Sequence, residues 1–314
     1  MLVTFGISID AAAWRAHADS VRDSVHAADA ALIPVIKGNG YGLGQTLLAQ
    51  EATRLGVRAV AVGNFHEVAE VAASFAGDII VLEPVDPRDV DATAAWAGIA
   101  DSELHTRVIR TIASSEGLDF VLDTASEPRI IIEAATAMRR FGFALPNLRS
   151  SWAWALQAAA DGRLKLQGLT LHLPLSPSVA DIDEILEIAD EIETDGIKHL
   201  LLSHVSTAQL DVLKRHNPNL RFSLRIGTDL WLGNRKTLTA FGTVLAVTKV
   251  QKGQKVGYHQ RAARGNGHVL TVSGGTAHGI GLAAPSPARS FRQKLTVIGV
   301  AVFNTMGRMK SPFA

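Results

Sequence analysis

Cysteine is absent from this chain of 314 residues, which removes disulfides, thiolate nucleophiles and Cys-ligated metal from consideration. Net charge is nearly absent as well. Thirty-one Lys and Arg against 30 Asp and Glu leave no sign of the basic stripe that accompanies a nucleic-acid partner. No stretch approaches the ~18 continuous apolar residues of a membrane span. The N-terminal Met1-Leu2-Val3-Thr4-Phe5 has neither the basic flank nor the long apolar run of a signal peptide. These absences predict no metal site, no nucleic-acid partner, no membrane insertion and a cytoplasmic location. What remains, 47% hydrophobic and 19% charged residues, suits a soluble chain with a sizeable core, folded as one large domain or two unequal ones.

Short apolar runs alternate with stretches of helical period, the mark of a parallel α/β sheet or barrel. The strand candidates are Leu32 to Ile36, Arg58 to Val62, Asp78 to Leu82, Asp119 to Leu122, Ile130 to Ile132, Leu169 to His172, Leu200 to Ser203 and Leu220 to Arg225. Helical spacing is read in Val179 to Asp195, through Ile182, Ile185, Leu186, Ala189 and Ile192, and in Glu103 to Ser114, through Leu104, Val108 and Ile112. About eight such β–α repeats predict a TIM-type (β/α)8 barrel, whose usual size is about 250 residues. An open doubly wound sheet is the competing architecture. From Phe241 the chain reads as strands at Thr243 to Val250, Lys255 to His259, His268 to Val272 and Leu295 to Phe303, broken by Gly253, Gly265-Asn266-Gly267 and Pro285 to Pro287. The expected organisation is therefore a barrel over residues 1–236 followed by a smaller, mostly β C-terminal domain over 237–314.

The sharpest local feature is Pro34-Val-Ile-Lys-Gly-Asn-Gly-Tyr-Gly-Leu-Gly44. An apolar strand ends on Lys37, and a lysine there points into the face where barrel active sites are built. Glycines at 38, 40, 42 and 44 permit backbone geometries and close ligand approach that other residues forbid. A lysine amine forms a Schiff base with an aldehyde when its surroundings favour the free amine. The glycine spacing matches neither the dinucleotide-binding nor the P-loop pattern. Taken alone, the segment also reads as a glycine-rich turn carrying a surface lysine.

Three further elements follow in order: Thr136-Ala-Met-Arg-Arg-Phe-Gly-Phe143, Leu169-Thr-Leu-His172, and Leu224-Arg-Ile-Gly-Thr-Asp-Leu-Trp-Leu-Gly233. With the lysine loop, they resemble the alanine racemase family of pyridoxal-phosphate (PLP) proteins, fold type III, from the N-terminus to about Gly281. The resemblance implies that Lys37 holds the PLP aldehyde and serves as the acid/base on one face of the substrate. It implies that Tyr41 contacts the cofactor phosphate, that Arg140 binds the substrate carboxylate, and that His172 supports the ring-facing arginine. Arg225 would face the pyridine nitrogen, and the Gly227 and Thr228 amides would reach the phosphate, as convergent amide donors do. Ser206 and Thr207, at the next strand end, would also lie near the phosphate. An arginine keeps its proton at physiological pH, so it would hydrogen-bond the ring nitrogen without protonating it. That makes the ring a poorer electron sink and discourages transamination.

The chain departs from the family pattern at several points. Glu133 and Ala135 stand where Lys and Asp are usual, Ser206 and Thr207 replace an Asn-Ser pair, and Trp231 replaces a tyrosine. Racemisation needs a second acid/base on the opposite face, and the family supplies a tyrosine from the partner subunit. Here the corresponding segment is Gly275-Thr-Ala-His-Gly279, with Thr276 at the tyrosine position and His278 two residues on as the available substitute. Against that pattern the C-terminal domain is expected to be reduced or truncated. The expected activity is PLP-dependent racemisation of alanine or a related small amino acid in a homodimer with shared sites, supplying D-amino acids for peptidoglycan. The alternatives are a PLP-holding protein without efficient racemisation and an inactive relative associated with cell-wall assembly.

Overall fold

A computed structural model describes residues 4–193, 198–257, 260–278 and 280, and these fall into two compact units. One is Asp10–Thr237; the other joins the strand at the N-terminus to the residues from Leu238 on.

The larger unit opens with α1 (Ala11–Ala27), whose N-terminus is capped by the Asp10 carboxylate accepting from Ala13 N at 3.1 Å. Strands and helices then alternate: β2 (Ala31–Pro34), α2 (Gln45–Arg54), β3 (Ala59–Val62), α3 (Val68–Ala72), β4 (Asp78–Pro84) and α4 (Val90–Ala100). The series continues with β5 (Val108–Ile112), α5 (Ser115–Thr124), β6 (Arg129–Ala134), α6 (Leu145–Ala160), β7 (Lys165–Leu171) and α7 (Val179–Glu193). It ends with β8 (His199–Ser203), α8 (Thr207–His216), β9 (Arg221–Ile226) and the short α9 (Thr228–Leu232). The remaining strand of the N-terminus, β1 (Phe5–Ile9), belongs to the other unit.

Strands β2 to β9 make one eight-stranded sheet in the order β2-β9-β8-β7-β6-β5-β4-β3. Every neighbouring pair is parallel. The two ends meet: Val35 bridges Ala61 in parallel, and Ile36 N donates to Ala61 O at 2.7 Å. The sheet is a closed barrel, as expected from the repeats. Its floor is apolar, built from Ile33, Val35, Ala61, Ile80, Ile109, Ile131 and Leu201, one alternate residue from each of several strands. The opposite strand faces are covered by helices that present Leu48 and Ala52, Trp96, Leu118 and Val121, Leu148 and Trp152, Ile182 and Ile185, and Leu210 and Leu213, all buried at helical spacing.

One strand lies elsewhere than the periodicity suggests. The barrel strand is Val108–Ile112, inside the stretch read as helical, and Asp119 to Leu122 lies inside α5. Leu104, Val108 and Ile112 match a helical step only by coincidence. All five residues of β5 are buried, so the strand has no polar face to reveal its period. In α5 the buried residues are Gly117, Leu118 and Val121, and the Ser114 hydroxyl caps the helix by accepting from Gly117 N.

In the other unit, β1 pairs antiparallel with β10 (Leu238–Gly242). The next strand, β11 (Val244–Val250), pairs with β14 (Gly267–Val272), and between them β12 (Lys255–Val256) pairs with β13 (Arg261–Ala262). The β-rich character is as expected, whereas Phe5–Ile9, read as part of the barrel domain, pairs with strand Leu238–Gly242 instead. The strand read at Leu295 to Phe303 lies outside the described residues.

Trp231 is completely buried, stacks on Trp14 with ring centroids 5.9 Å apart, and donates Nε1–H to Val35 O at 2.8 Å. The Trp14 indole donates in turn to Trp231 O. Trp231→Phe keeps much of the volume but strands a buried carbonyl two residues before Lys37. It is expected to cost about 1–3 kcal/mol of stability in urea denaturation; an unchanged midpoint would show that this bond contributes nothing.

Candidate active site

The strands deliver their last inward positions to one mouth of the barrel. Lys37 follows β2 and is exposed there. Its loop is held by Glu67, whose two carboxylate oxygens accept from Gly38 N at 2.7 Å and from Gly63 N at 2.6 Å. Glu67 thus ties the lysine loop to the end of β3. A side chain at Gly63 would press within 3.2 Å of Lys37 Cβ, so this glycine leaves room for the lysine. The loop runs through left-handed backbone at Gly38, Gly40, Tyr41, Gly42 and Gly44. Such φ values are costly for any residue with a Cβ, and Tyr41, at φ 56°, is the one non-glycine among them.

Tyr41 reaches across to the start of α9. A Cβ built on Gly227 would lie 2.0 Å from the Tyr41 hydroxyl oxygen, so the phenol occupies space that only glycine leaves free. Burial and the Glu67 charge push the Tyr41 phenol up to about 12, partly opposed by its hydrogen bond with Thr228. Tyr41, Gly227 and Thr228 therefore converge.

Arg225, on β9, is 6% exposed. Its Nη2 donates to Leu171 O at 2.8 Å, while its Nε is buried with no partner among the described residues. Burial depresses its pKa; the Glu133 charge opposes that and the Arg140 charge adds to it. Glu133 occupies an inward position near the end of β6, 4% exposed, and burial raises its carboxyl to about 7 against the pull of Arg225 and Arg140. Arg140 itself is exposed, its guanidinium over the Phe141 ring at 4.9 Å. Between these elements lies His172, whose carbonyl accepts from the buried Thr136 hydroxyl at 2.5 Å. Burial, Arg225, His204, Arg140 and Lys37 together lower the His172 imidazole to about 4. It is a neutral ring between cations, suited to hydrogen bonding rather than proton uptake.

Lys37, Tyr41, Arg140, His172, Arg225, Gly227 and Thr228 thus gather at one end of the barrel. Ser206 and Thr207 stand at the start of α8, where the Ser206 hydroxyl is engaged in a capping box, donating to Gln209 Oε1 and accepting from Gln209 N. Thr276 and His278 belong to the other unit, in a short 3-10 helix; both are exposed, and the His278 ring lies edge-on to Phe5 at 4.9 Å. Sequence patterns gave no notice of Glu67 or His204. Glu67 sits in no motif, and His204 lies in the strand-end segment of Ser206 and Thr207 with no role read for it; what distinguishes them, a double backbone brace and a left-handed φ of 62°, exists only in the folded chain.

A closed parallel barrel whose mouth combines a loop lysine, a buried arginine and an exposed arginine defines a (β/α)8 protein. Residues 9–234 match the family described as alanine racemase, N-terminal domain, and the chain belongs to that family. It is similar to the alanine racemase of Fusobacterium nucleatum, 24% identical over 246 residues, which cover 72% of this chain and 63% of that protein. The alanine racemase of Acidithiobacillus ferrooxidans is 31% identical over 205 residues, 64% of this chain and 51% of the relative. The chain thus aligns with only part of these relatives' length. Among solved structures, alanine racemase from Streptomyces lavendulae superposes with a TM-score of 0.70 at 22% identity, covering 89% of this chain and 76% of that one. Histidine racemase from Leuconostoc mesenteroides gives 0.66 at 18% identity, covering 86% and 74%. At such identities the structural likeness speaks for the fold.

The Glu133 carboxyl, raised to about 7 from an ordinary 4.5, binds its proton more tightly in the folded state than in the unfolded chain. The stability this contributes is complete below the unfolded value and is lost as pH rises through the folded one. Glu133→Gln, permanently neutral, is expected to lose less stability than the parent between pH 4.5 and about 8, measured by urea denaturation. Parallel pH dependences would show that the carboxyl is not held neutral.

Proposed function

We propose that this barrel holds PLP on Lys37 and acts as an amino-acid racemase, with alanine or another small amino acid as substrate. The observation that carries the reading is the convergence on one mouth of Lys37, the buried Arg225 with its unpartnered Nε, and Arg140. A buried donor without an acceptor is costly, and a pyridine nitrogen is an acceptor of the right kind. The Tyr41 hydroxyl, seated on Gly227 beside Thr228, suits a phosphate. Lys37, Arg140 and Arg225 bring three cationic side chains to the mouth beside the carboxyls of Glu67 and Glu133, and cations suit a phosphate and a carboxylate.

When bound, the cofactor supplies an electron sink that acidifies the substrate Cα–H. The chain's own residues do the rest. Lys37 would hold the cofactor aldehyde, and its amine would take or return the Cα proton on its face. Arg140 orients the substrate carboxylate by the fork geometry of its guanidinium. Arg225 would hydrogen-bond the ring nitrogen through its buried Nε, and His172 would stay a neutral ring in the mouth. Tyr41 serves as a phosphate anchor, its phenol too weak an acid to lose a proton near neutrality. Thr207, at the start of α8, would be a further phosphate contact, whereas the Ser206 hydroxyl expected to join it is engaged with Gln209. Thr276 has no basic group to offer, and His278 is the alternative second base in the other unit. A homodimer with shared sites, working in the cytoplasm and feeding peptidoglycan synthesis, completes the proposal. The exposed apolar side chains of Leu245, Val247 and Leu270 support a covered surface on the β unit.

A second reading, a PLP protein without efficient racemisation, is favoured by Thr276 at the tyrosine position. Purified protein supplied with PLP is expected to show a visible absorption band that is lost in Lys37→Ala, and to interconvert D- and L-alanine. Arg140→Ala is expected to raise KM for alanine about tenfold or more, the band being retained. A colourless parent that takes up no PLP would sink both readings.

A further inference from the structure

Racemisation needs an acid/base on each face of Cα, and Lys37 accounts for one. Resting on the function proposed above, the remaining question is which other titratable group of the barrel mouth is free to move a proton. The Glu67 oxygens are both taken by the backbone amides of Gly38 and Gly63. Glu133, its carboxyl raised by burial to about 7, is 4% exposed and too covered for a substrate carbon to reach. The Tyr41 phenol is packed on Gly227, bonded to Thr228 and held at about 12. His172, half-buried among cations, is held at about 4.

His204 is different. It follows β8 at the mouth, is exposed, and meets His172 edge-on with ring centroids 5.7 Å apart. Partial burial first, then the charges of Arg225 and Lys37, lower its imidazole from the ordinary value, which places both cations within reach of the ring. Its backbone lies in the left-handed region, φ 62°, where residues with a Cβ are uncommon and where strain concentrates at functional positions. Ser203 before it is fixed, its hydroxyl accepting from Leu173 N, and Ser206 after it is fixed by its capping box. A ring on a strained backbone between two anchored serines is aimed rather than loose.

We infer that His204 is the second acid/base of the reaction, supplied from within the same barrel in place of the family's tyrosine. In one direction Lys37 accepts the Cα proton and His204, as imidazolium, returns one to the opposite face. In the reverse direction the roles exchange, and no proton or electron is gained or lost. The groups whose charges lower its titration are Arg225 from β9 and Lys37 from the β2 loop, and His172, which follows β7, is the titratable ring packed against it.

The test uses full-length protein with PLP, D- and L-alanine, and His204→Asn, because Asn tolerates left-handed backbone and spares the fold. The visible band should persist while racemisation falls ~10²–10⁴-fold. In D2O, Cα exchange should persist from one enantiomer and be lost from the other. In His204→Gly, added imidazole should restore the lost exchange, which a structural role would not permit. Unchanged racemisation in His204→Asn overturns the inference. So does equal loss of exchange from both enantiomers without imidazole rescue, or a PLP-holding parent that exchanges only one enantiomer. Absence of PLP uptake by the parent is a separate signature, and defeats the underlying cofactor reading instead.

Discussion

A guanidinium carried into the barrel's interior is the constraint around which the mouth is arranged. Arg225 has one nitrogen on the Leu171 carbonyl, and its Nε meets no acceptor among the described residues. Isolated charge in a low-dielectric interior is expensive, so its surroundings must answer it. Glu133 supplies the nearest opposing charge, yet its own burial holds back its ionisation. His172 responds by staying neutral. The mouth therefore gathers the cationic side chains of Lys37, Arg140 and Arg225 around a Glu133 whose ionisation burial opposes. The apolar floor of Ile33, Val35, Ala61, Ile80, Ile109, Ile131 and Leu201 makes this tolerable, since its burial favours folding without help from the polar layer above.

Placement of the lysine is a separate mechanical problem. A run of left-handed residues has no hydrogen-bond ladder of its own, so the loop borrows order from its neighbours. Glu67 grips it on one side, Asn39 turns it by accepting from Gly42 N, and Tyr41 wedges against Gly227. Behind it, the Trp231 indole secures the Val35 carbonyl. Lys37 thus projects from a loop whose backbone is fixed by its own Asn39 and Tyr41 and by the side chains of two other segments, Glu67 and Trp231, which is the kind of preorganisation that positioning a reactive amine requires.

Much of this was legible in the sequence, for identifiable reasons. The lysine loop shows because glycine is the only residue that passes cheaply through φ near 60°, so a strained loop writes itself as Gly at alternate positions. Barrel strands such as Leu200 to Ser203 show as apolar runs because both of their faces are buried. The same property hid Val108–Ile112, whose buried Arg110 and Thr111 interrupt the apolar run and mimic a helix. Glu67 and His204 were hidden for another reason. Their roles rest on contacts between segments that are distant in the chain, and nothing in their own neighbourhood differs from an ordinary surface loop.

The departures from the family's pattern are not equivalent once placed in the fold. Trp231, in place of a tyrosine, is absorbed into the scaffold: fully buried and stacked on Trp14, it gives its one donor to the backbone. Ser206 is likewise absorbed, its hydroxyl spent within a helix cap. Glu133 is not absorbed. It stays in the mouth as an ionisable group under two arginine charges, so a residue that departs from the usual lysine still governs the field in which substrate and cofactor would bind. Thr276 offers no ionisable group at all, and a reaction that needs a proton on each face must then find its second donor among residues the family pattern does not mark. Whether the chain racemises is therefore decided less by the motifs it shares with its relatives than by the few titratable groups its own barrel leaves free.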